Sequence, residues 1–252
     1  MSLEIRQFLC LEDNLGVLVQ DPESGATASI DAPDAAPILA ALAMQGWALT
    51  DILLTHHHAD HIQGLGGLKS AFPQARVIGP ADIGGIDRAV DDGDEVCVGT
   101  RSAKAIAVPG HTLDHLAYWF ERDKLLFAGD ALFAMGCGRA FEAPPAVLYR
   151  SLMRLASLPD DTLICCGHEY TLANARFALR VDPDNEALQR RAQDVAAARA
   201  EGRLTLPTRM GLERATNPFL RVHERAIQER LGLAGADPAE VFTALRELKN
   251  RS

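Results

Sequence analysis

The sequence predicts an α+β chain in which mixed sheets are stacked and covered by helices, followed by a helical region. Short apolar or alternating runs of strand length recur between helix-patterned stretches through residue 169. Beyond Tyr170 the composition shifts to Ala, Arg, Glu and Leu at helical density. Several strand-like runs also end in histidine or aspartate, which places the chemistry at strand ends. The expected division is residues 1–169 as the part built of strands and helices and 170–252 as an appended helical region.

Taken in order, residues 15–20 and 26–31 flank Asp21-Pro22-Glu23-Ser24-Gly25, whose Pro and Gly form a turn, so residues 1–31 read as an edge meander. Residues 34–44 read as a helix with Asp34 at its N-cap and Gly46 closing it. A strand follows over 51–55. Residues 61–72 carry Ile62, Leu65 and Leu68 at helical spacing, weakened by Gly64, Gly66 and Gly67, and 75–79 return as a strand. Strands are expected over 95–99, 103–108, 115–120 and 124–128, the last after the turn Glu121-Arg122-Asp123. Pro144 and Pro145 open a helix through Leu158, and a strand over 162–166 precedes Gly167-His168. The helical tail is interrupted over 203–217.

Composition narrows the function. The formal net charge of -9 works against a phosphate-backbone partner, which needs a basic face. No apolar run is long enough to cross a bilayer and no basic-then-apolar leader precedes Cys10, so a cytoplasmic protein without nucleic-acid or membrane partners, acting as a monomer, is expected. The five cysteines are scattered and include no Cys-x-x-Cys pair; they read as small buried side chains.

The chemistry centres on Thr55-His56-His57-His58-Ala59-Asp60-His61, directly behind Ile52-Leu53-Leu54. Along an extended backbone successive side chains point to opposite faces, so His56 and His58 can share one cluster while His57 turns away. Asp60 and His61 are adjacent, and a turn must separate them from the first pair. Two neighbouring metal positions follow. A purification tag would lie at a terminus, and a chance polar loop would not follow a buried strand. Three further candidates stand just past strand-like runs, each behind a glycine: His111 after Gly110, Asp130 after Gly129 and His168 after Gly167. Singly, each would more often be a structural histidine or a turn aspartate; their shared placement argues for one site.

Thr-His-x-His-x-Asp-His, then Pro-Gly-His-Thr, Gly-Asp and Gly-His-Glu-Tyr, in that order, resembles the metallo-β-lactamase superfamily over most of residues 50–170. The resemblance implies an αββα metallo-β-lactamase sandwich with a C-terminal helical domain. It also implies two divalent metal ions, zinc first with iron or manganese as alternatives: His56, His58 and His111 hold one, Asp60, His61 and His168 the other, and Asp130 bridges. The superfamily pattern does not specify a substrate. Gly136-Cys137-Gly138-Arg139-Ala140-Phe141-Glu142, His168-Glu169-Tyr170-Thr171, Asn217-Pro218-Phe219-Leu220-Arg221 and Arg246-Glu247-Leu248-Lys249 resemble glyoxalase II, so that the likeness covers essentially the whole chain.

That second resemblance implies hydrolysis of S-D-lactoylglutathione and related 2-hydroxyacylglutathiones to D-lactate and glutathione by a metal-bridging hydroxide, a step in methylglyoxal detoxification. Asp130 and Asp60 are the carboxylates implied in catalysis. Arg139, Phe141, Tyr170, Arg246 and Lys249 are the implied substrate-binding residues, the last two through the glycine carboxylate of glutathione. A guanidinium can grip a carboxylate through two parallel hydrogen bonds, and Arg246 and Lys249, three apart on a helix, can face one ligand. Without the resemblance they read as a solvated helix end. Arg139 stands where many relatives carry lysine, Phe141 where tyrosine is common and Asp114 where many have glycine; Tyr170, next to His168, reads as functional ahead of the alternative of packing between domains, and His223 reads as structural. The alternatives are a persulfide dioxygenase with one iron on His56, His111 and Asp130, a lactone hydrolase with no glutathione grip, and a non-catalytic metal scaffold.

Overall fold

The computed structural model describes residues 2–252, which separate into two compact units: 2–107 with Asp114–Gly129, and Val108–Leu113 with Asp130–Ser252. In the first unit β1 (Glu4–Cys10), β2 (Asn14–Gln20) and β3 (Thr27–Ile30) form the expected antiparallel meander. Its β2–β3 turn is tied by Asp21, whose carboxylate accepts from Ser24 Oγ at 2.6 Å and the Glu23 amide at 3.1 Å.

From β3 the sheet continues in parallel through β4 (Leu49–Leu53), β5 (Arg76–Gly79) and β6 (Arg88–Ala89). Helix α1 (Ala35–Gln45) is the crossover from β3 to β4. Asp34 caps it by accepting from the Ala36 amide at 3.1 Å, and Gly46 ends it at φ +67°, as its sequence predicts. Ile38 and Leu42 of α1 pack with Leu18, Ile52, Leu54, Val77 and Leu68 in one buried cluster. Burial of these side chains is the main force holding the helix on the sheet.

The helix expected over 61–72 is two: α2 (Ala59–Ile62) and α3 (Leu65–Ala71). The break at Gly64 has a steric cause. A Cβ there would lie 2.7 Å from the Ala35 nitrogen and 2.8 Å from the Ala32 oxygen, so only glycine lets this segment press on the backbone entering α1. The first unit closes with an antiparallel meander of β7 (Glu95–Val98), β8 (Arg101–Ala107), β9 (Leu116–Phe120) and β10 (Leu125–Gly129).

The second unit holds a hairpin of β11 (Leu132–Phe133) and β12 (Gly136–Cys137), then α4 (Pro145–Ala156) and β13 (Leu163–Cys166). Helices α5 (Thr171–Val181) and α6 (Glu186–Ala200) follow. The interruption expected over 203–217 contains β14 (Thr208–Arg209), antiparallel to β13, and helix α7 (Met210–Thr216). Helices α8 (Arg225–Arg230) and α9 (Pro238–Asn250) end the chain. Phe219 anchors this unit, 6.0 Å from Phe177 of α5 and 5.6 Å from Phe242 of α9, ring centre to ring centre. Tyr149 of α4 reaches the same Phe242 at 5.4 Å.

The cysteines correct one expectation. Cys10, Cys137, Cys165 and Cys166 are buried, but Cys97 is exposed because it takes an outward position of the alternating strand β7. Burial pushes the Cys10 thiol up to about 11 and that of Cys165 up to about 12, and raises Cys137 and Cys166 as well. Because the thiolate is the reactive form, a thiol reagent at pH 8 is expected to modify Cys97 alone in the native protein and all five cysteines in denaturant. Two fast thiols in the native titration would contradict this. Among the described residues no helix is long and apolar enough to cross a membrane.

Candidate metal centre

In the first unit the chain leaves β4 as extended backbone, held by a hydrogen bond from the Leu116 amide to the Thr55 oxygen at 2.8 Å, and enters α2 at Ala59. That helix start is the turn which separates His56 and His58 from Asp60 and His61. The His56 ring centre lies 4.8 Å from that of His58 and 4.1 Å from that of His61. His61 Nε2 is 3.7 Å from Asp60 Oδ2. His57 Nδ1 lies 3.0 Å from Asp114 Oδ1, so Asp114 anchors the motif histidine that stands outside the two expected metal positions.

Proton accounting fixes which nitrogens face the site. The Asp31 carboxylate accepts from the Thr55 amide at 2.7 Å and from Thr55 Oγ1 at 2.9 Å, and lies 2.8 Å from His61 Nδ1. Opposite a carboxylate, His61 Nδ1 carries the proton. The Thr55 hydroxyl has given its one proton to Asp31, so at 2.9 Å it accepts from His56 Nδ1. Both rings therefore present Nε2 as a lone pair, the arrangement of a metal-ligating histidine backed by a hydrogen-bonding partner.

Asp31 is missed by sequence reasoning, which takes it only as the last residue of the strand expected over 26–31; its left-handed backbone, φ +58°, leaves no mark in the sequence beyond the residue type. His115, stacked on His56 at 4.7 Å and 16°, is missed likewise. Gly129, at φ +49°, lies where a Cβ would sit 2.7 Å from His115 and 2.8 Å from Thr55 Oγ1, which explains the glycine before Asp130.

The second unit brings together His111, Asp130 and His168, all buried. Asp130 Oδ2 stands 3.5 Å from His111 Nε2 and 3.3 Å from His168 Nε2. His111 Nδ1 lies 3.0 Å from the carbonyl oxygen of Arg139; a carbonyl only accepts, so Nδ1 holds the proton and Nε2 faces the carboxylate. His111 thus turns a lone pair toward the Asp130 carboxylate, and a cation held between the two would satisfy both. A divalent cation suits this mixed nitrogen and oxygen donor set. Among the described residues, each of His56, His58, Asp60, His61, His111, Asp130 and His168 belongs to a group of three His or Asp side chains close enough to hold a metal ion.

The residues expected to bind substrate are placed differently from one another. Tyr170 stacks on His168 at 4.7 Å and 7°. Phe141, 60% exposed, has its ring centre 5.3 Å from that of His111. Arg139 is exposed, and Lys249 Nζ lies 5.1 Å over the Phe177 ring and 3.3 Å from the Ala173 oxygen. Burial lowers the Lys249 ammonium from its ordinary value, and Arg246, Arg180 and Arg139 add to the effect. Three arginines thus act on Lys249 within this unit. Arg180 is a member the sequence does not single out, because on α5 it reads as a helix-end cation. Arg246, only 3% exposed, turns inward, its Nη1 2.9 Å from the Cys137 oxygen and its Nε 3.0 Å from Asn250 Oδ1.

The strand-end histidines and aspartates are those of the superfamily motif, and residues 16–168 match the family described as metallo-β-lactamase superfamily. The α+β fold and the metal-binding cluster are those of that class, which carries a pair of divalent metal ions. Residues 169–252 match the family described as hydroxyacylglutathione hydrolase C-terminus. The chain is 55% identical over 256 residues to hydroxyacylglutathione hydrolase from Rhodopseudomonas palustris (strain BisA53), with all of both chains covered. It is 52% identical to the enzyme of that description from Rhizobium etli, covering 98% of each chain. Among solved structures it is similar to ETHE1 from Myxococcus xanthus, with a TM-score of 0.70, 29% identity and coverage of 97% of this chain and 90% of that one. The chain belongs to the hydroxyacylglutathione hydrolase family of the metallo-β-lactamase superfamily.

Proposed function

We propose that the chain hydrolyses 2-hydroxyacylglutathione thioesters, S-D-lactoylglutathione above all: water adds, the carbon–sulfur bond breaks, and D-lactate and glutathione leave. The observation that carries this reading lies in the second unit. The backbone of Arg139 binds the candidate ligand His111 while its side chain belongs to the cation group that acts on Lys249, so one residue joins the chemistry to an anion-holding surface. Glutathione offers such a surface two carboxylates, and charge-assisted hydrogen bonds are the strong ones.

In this reading His56, His58 and His111 would hold one ion and Asp60, His61 and His168 the other, with Asp130 the carboxylate that would be shared. The position of Asp130 Oδ2 between two imidazoles supports the bridging role. Zinc is the proposed occupant of both positions, with iron and manganese compatible with the same donors. When bound, the pair supplies Lewis acidity and acidifies water toward neutral pH. Asp130 and Asp60 orient the attacking group; Arg139, Tyr170, Arg246 and Lys249 hold glutathione, and Phe141 covers the apolar side. The leaving thiol has a pKa of about 8.5, so the site needs no strong general acid. Residues 1–169 form the metal-binding part and 170–252 the substrate-binding part of a cytoplasmic monomer.

The test compares thioesters of glutathione and of coenzyme A on one metal-analysed preparation. Two divalent ions per chain and hydrolysis favouring the glutathione ester are expected. Lys249→Met is expected to lower kcat/KM for that ester by about 10-fold or more, chiefly through KM, as for a lost hydrogen bond to a charged group. No hydrolysis above background would refute the reading, and one iron per chain with oxygen consumption would replace it by a dioxygenase.

A further inference from the structure

Arg246 looks inward, and what it touches is a strap of backbone. Residues 137–139 leave the β11–β12 hairpin, and Arg246 Nη1 lies 2.9 Å from the Cys137 oxygen and 3.3 Å from the Gly138 oxygen. The guanidinium is itself set by Asn250 Oδ1 on Nε and by the Phe219 ring, 5.1 Å below its central carbon. The next carbonyl along the strap, that of Arg139, accepts from His111 Nδ1. Gly138 lies between, so close to the site that a Cβ would collide with the Asp130 carbonyl oxygen and lie 3.1 Å from His111 Nδ1. The strap therefore leans on two candidate ligands at once, and it has no side chain at 138 with which to hold itself.

We propose that Arg246 is a positioning residue for the metal ligand His111: by fixing the 137 and 138 carbonyls it sets the Arg139 carbonyl that orients the imidazole. The proposal rests on the metal assignment made under the proposed function, and it gives Arg246 a task beyond holding substrate. Partners that orient a ligating histidine are worth about 10–100-fold in metal affinity or activity. A lysine at 246 would keep the charge but not the fork, because a single ammonium cannot reach both strap carbonyls and Asn250.

The test loads wild type, Arg246→Lys, Asn250→Ala and Lys249→Met with zinc and measures retention against a chelator, then kcat and KM for S-D-lactoylglutathione. Arg246→Lys is expected to hold zinc about 10–100-fold less tightly, with kcat reduced. Asn250→Ala should shift retention in the same direction by less; it carries the test if circular dichroism shows that Arg246→Lys does not fold. Lys249→Met should raise KM with retention at the wild-type level. Wild-type retention in both Arg246→Lys and Asn250→Ala overturns the proposal and leaves Arg246 as a substrate contact alone. Zinc retention is read without turnover, so a wild type that binds zinc but leaves the thioester intact refutes the proposed function and not this inference.

Discussion

A Glu213→Ala protein is expected to lose about 3–5 kcal/mol of stability, the cost of breaking a buried ion pair by removing one partner. Glu213, on α7, is fully buried. Its Oε1 accepts from Arg191 Nη2 at 2.5 Å and from Thr208 Oγ1 at 2.6 Å, and its Oε2 accepts from the Met135 amide at 2.8 Å and from Asn217 Nδ2 at 3.2 Å. Alanine would leave the Arg191 guanidinium charged in a place only 8% exposed, with only the neutral hydroxyls of Thr216 at Nη1 and Thr208 at Nη2 to accept from it. It would also release Met135, at the tip of the hairpin that leads to the strap. Urea unfolding of Glu213→Ala, Arg191→Met and the double variant measures the effect. The double variant should recover part of the loss, since it removes the stranded charge; a single-variant loss below about 1 kcal/mol would show that the pair contributes no more than an exposed one.

The second large effect concerns Asp31. Asp31→Ala is expected to weaken zinc binding by about 10–100-fold, the range found for groups that orient ligating histidines. Its carboxylate sets His61 directly and His56 through Thr55 Oγ1, so both rings lose the partner that fixes their tautomer. Asp31→Asn separates charge from shape. Asparagine tolerates the left-handed backbone at this position, φ +58°, but offers one oxygen where Thr55 and His61 need two acceptors. It should fold like wild type and still bind zinc more weakly. Zinc affinity at the wild-type level in both variants would remove Asp31 from the site.

The contrast between Asp31 and the ligands shows what a sequence makes visible. His56, Asp130 and His168 are legible because each follows an apolar run of strand length, and the glycines before the last two announce a tight turn. The same signal places α1, whose cap and closing glycine both stand where expected. Asp31 also follows a strand, but with no neighbouring motif it reads only as the end of the run over 26–31. Glu213 is hidden differently: within a charged helical tail nothing local distinguishes a buried carboxylate from a solvated one, and only the distant Arg191, Thr208 and Met135 decide it. The two-residue strands β6, β11, β12 and β14 have too few positions to show alternation, so only their partners define them. Arg246 was legible as a cation of the tail, but its inward direction was not, since a helix position fixes a face and not what a long side chain reaches.

The strap through residues 137–141 has two edges with unequal freedom. Its inner edge, at Gly138, admits no additional atom beside Asp130 and His111. Its outer edge carries Arg139 and Phe141, both open to solvent. Larger side chains are therefore sterically admissible along the outer edge and excluded at the inner one. Taken with the substrate roles proposed for Arg139 and Phe141, this makes 139 and 141 the natural starting points for redirecting the protein toward another acyl group or thiol carrier, beside a position 138 that admits only glycine.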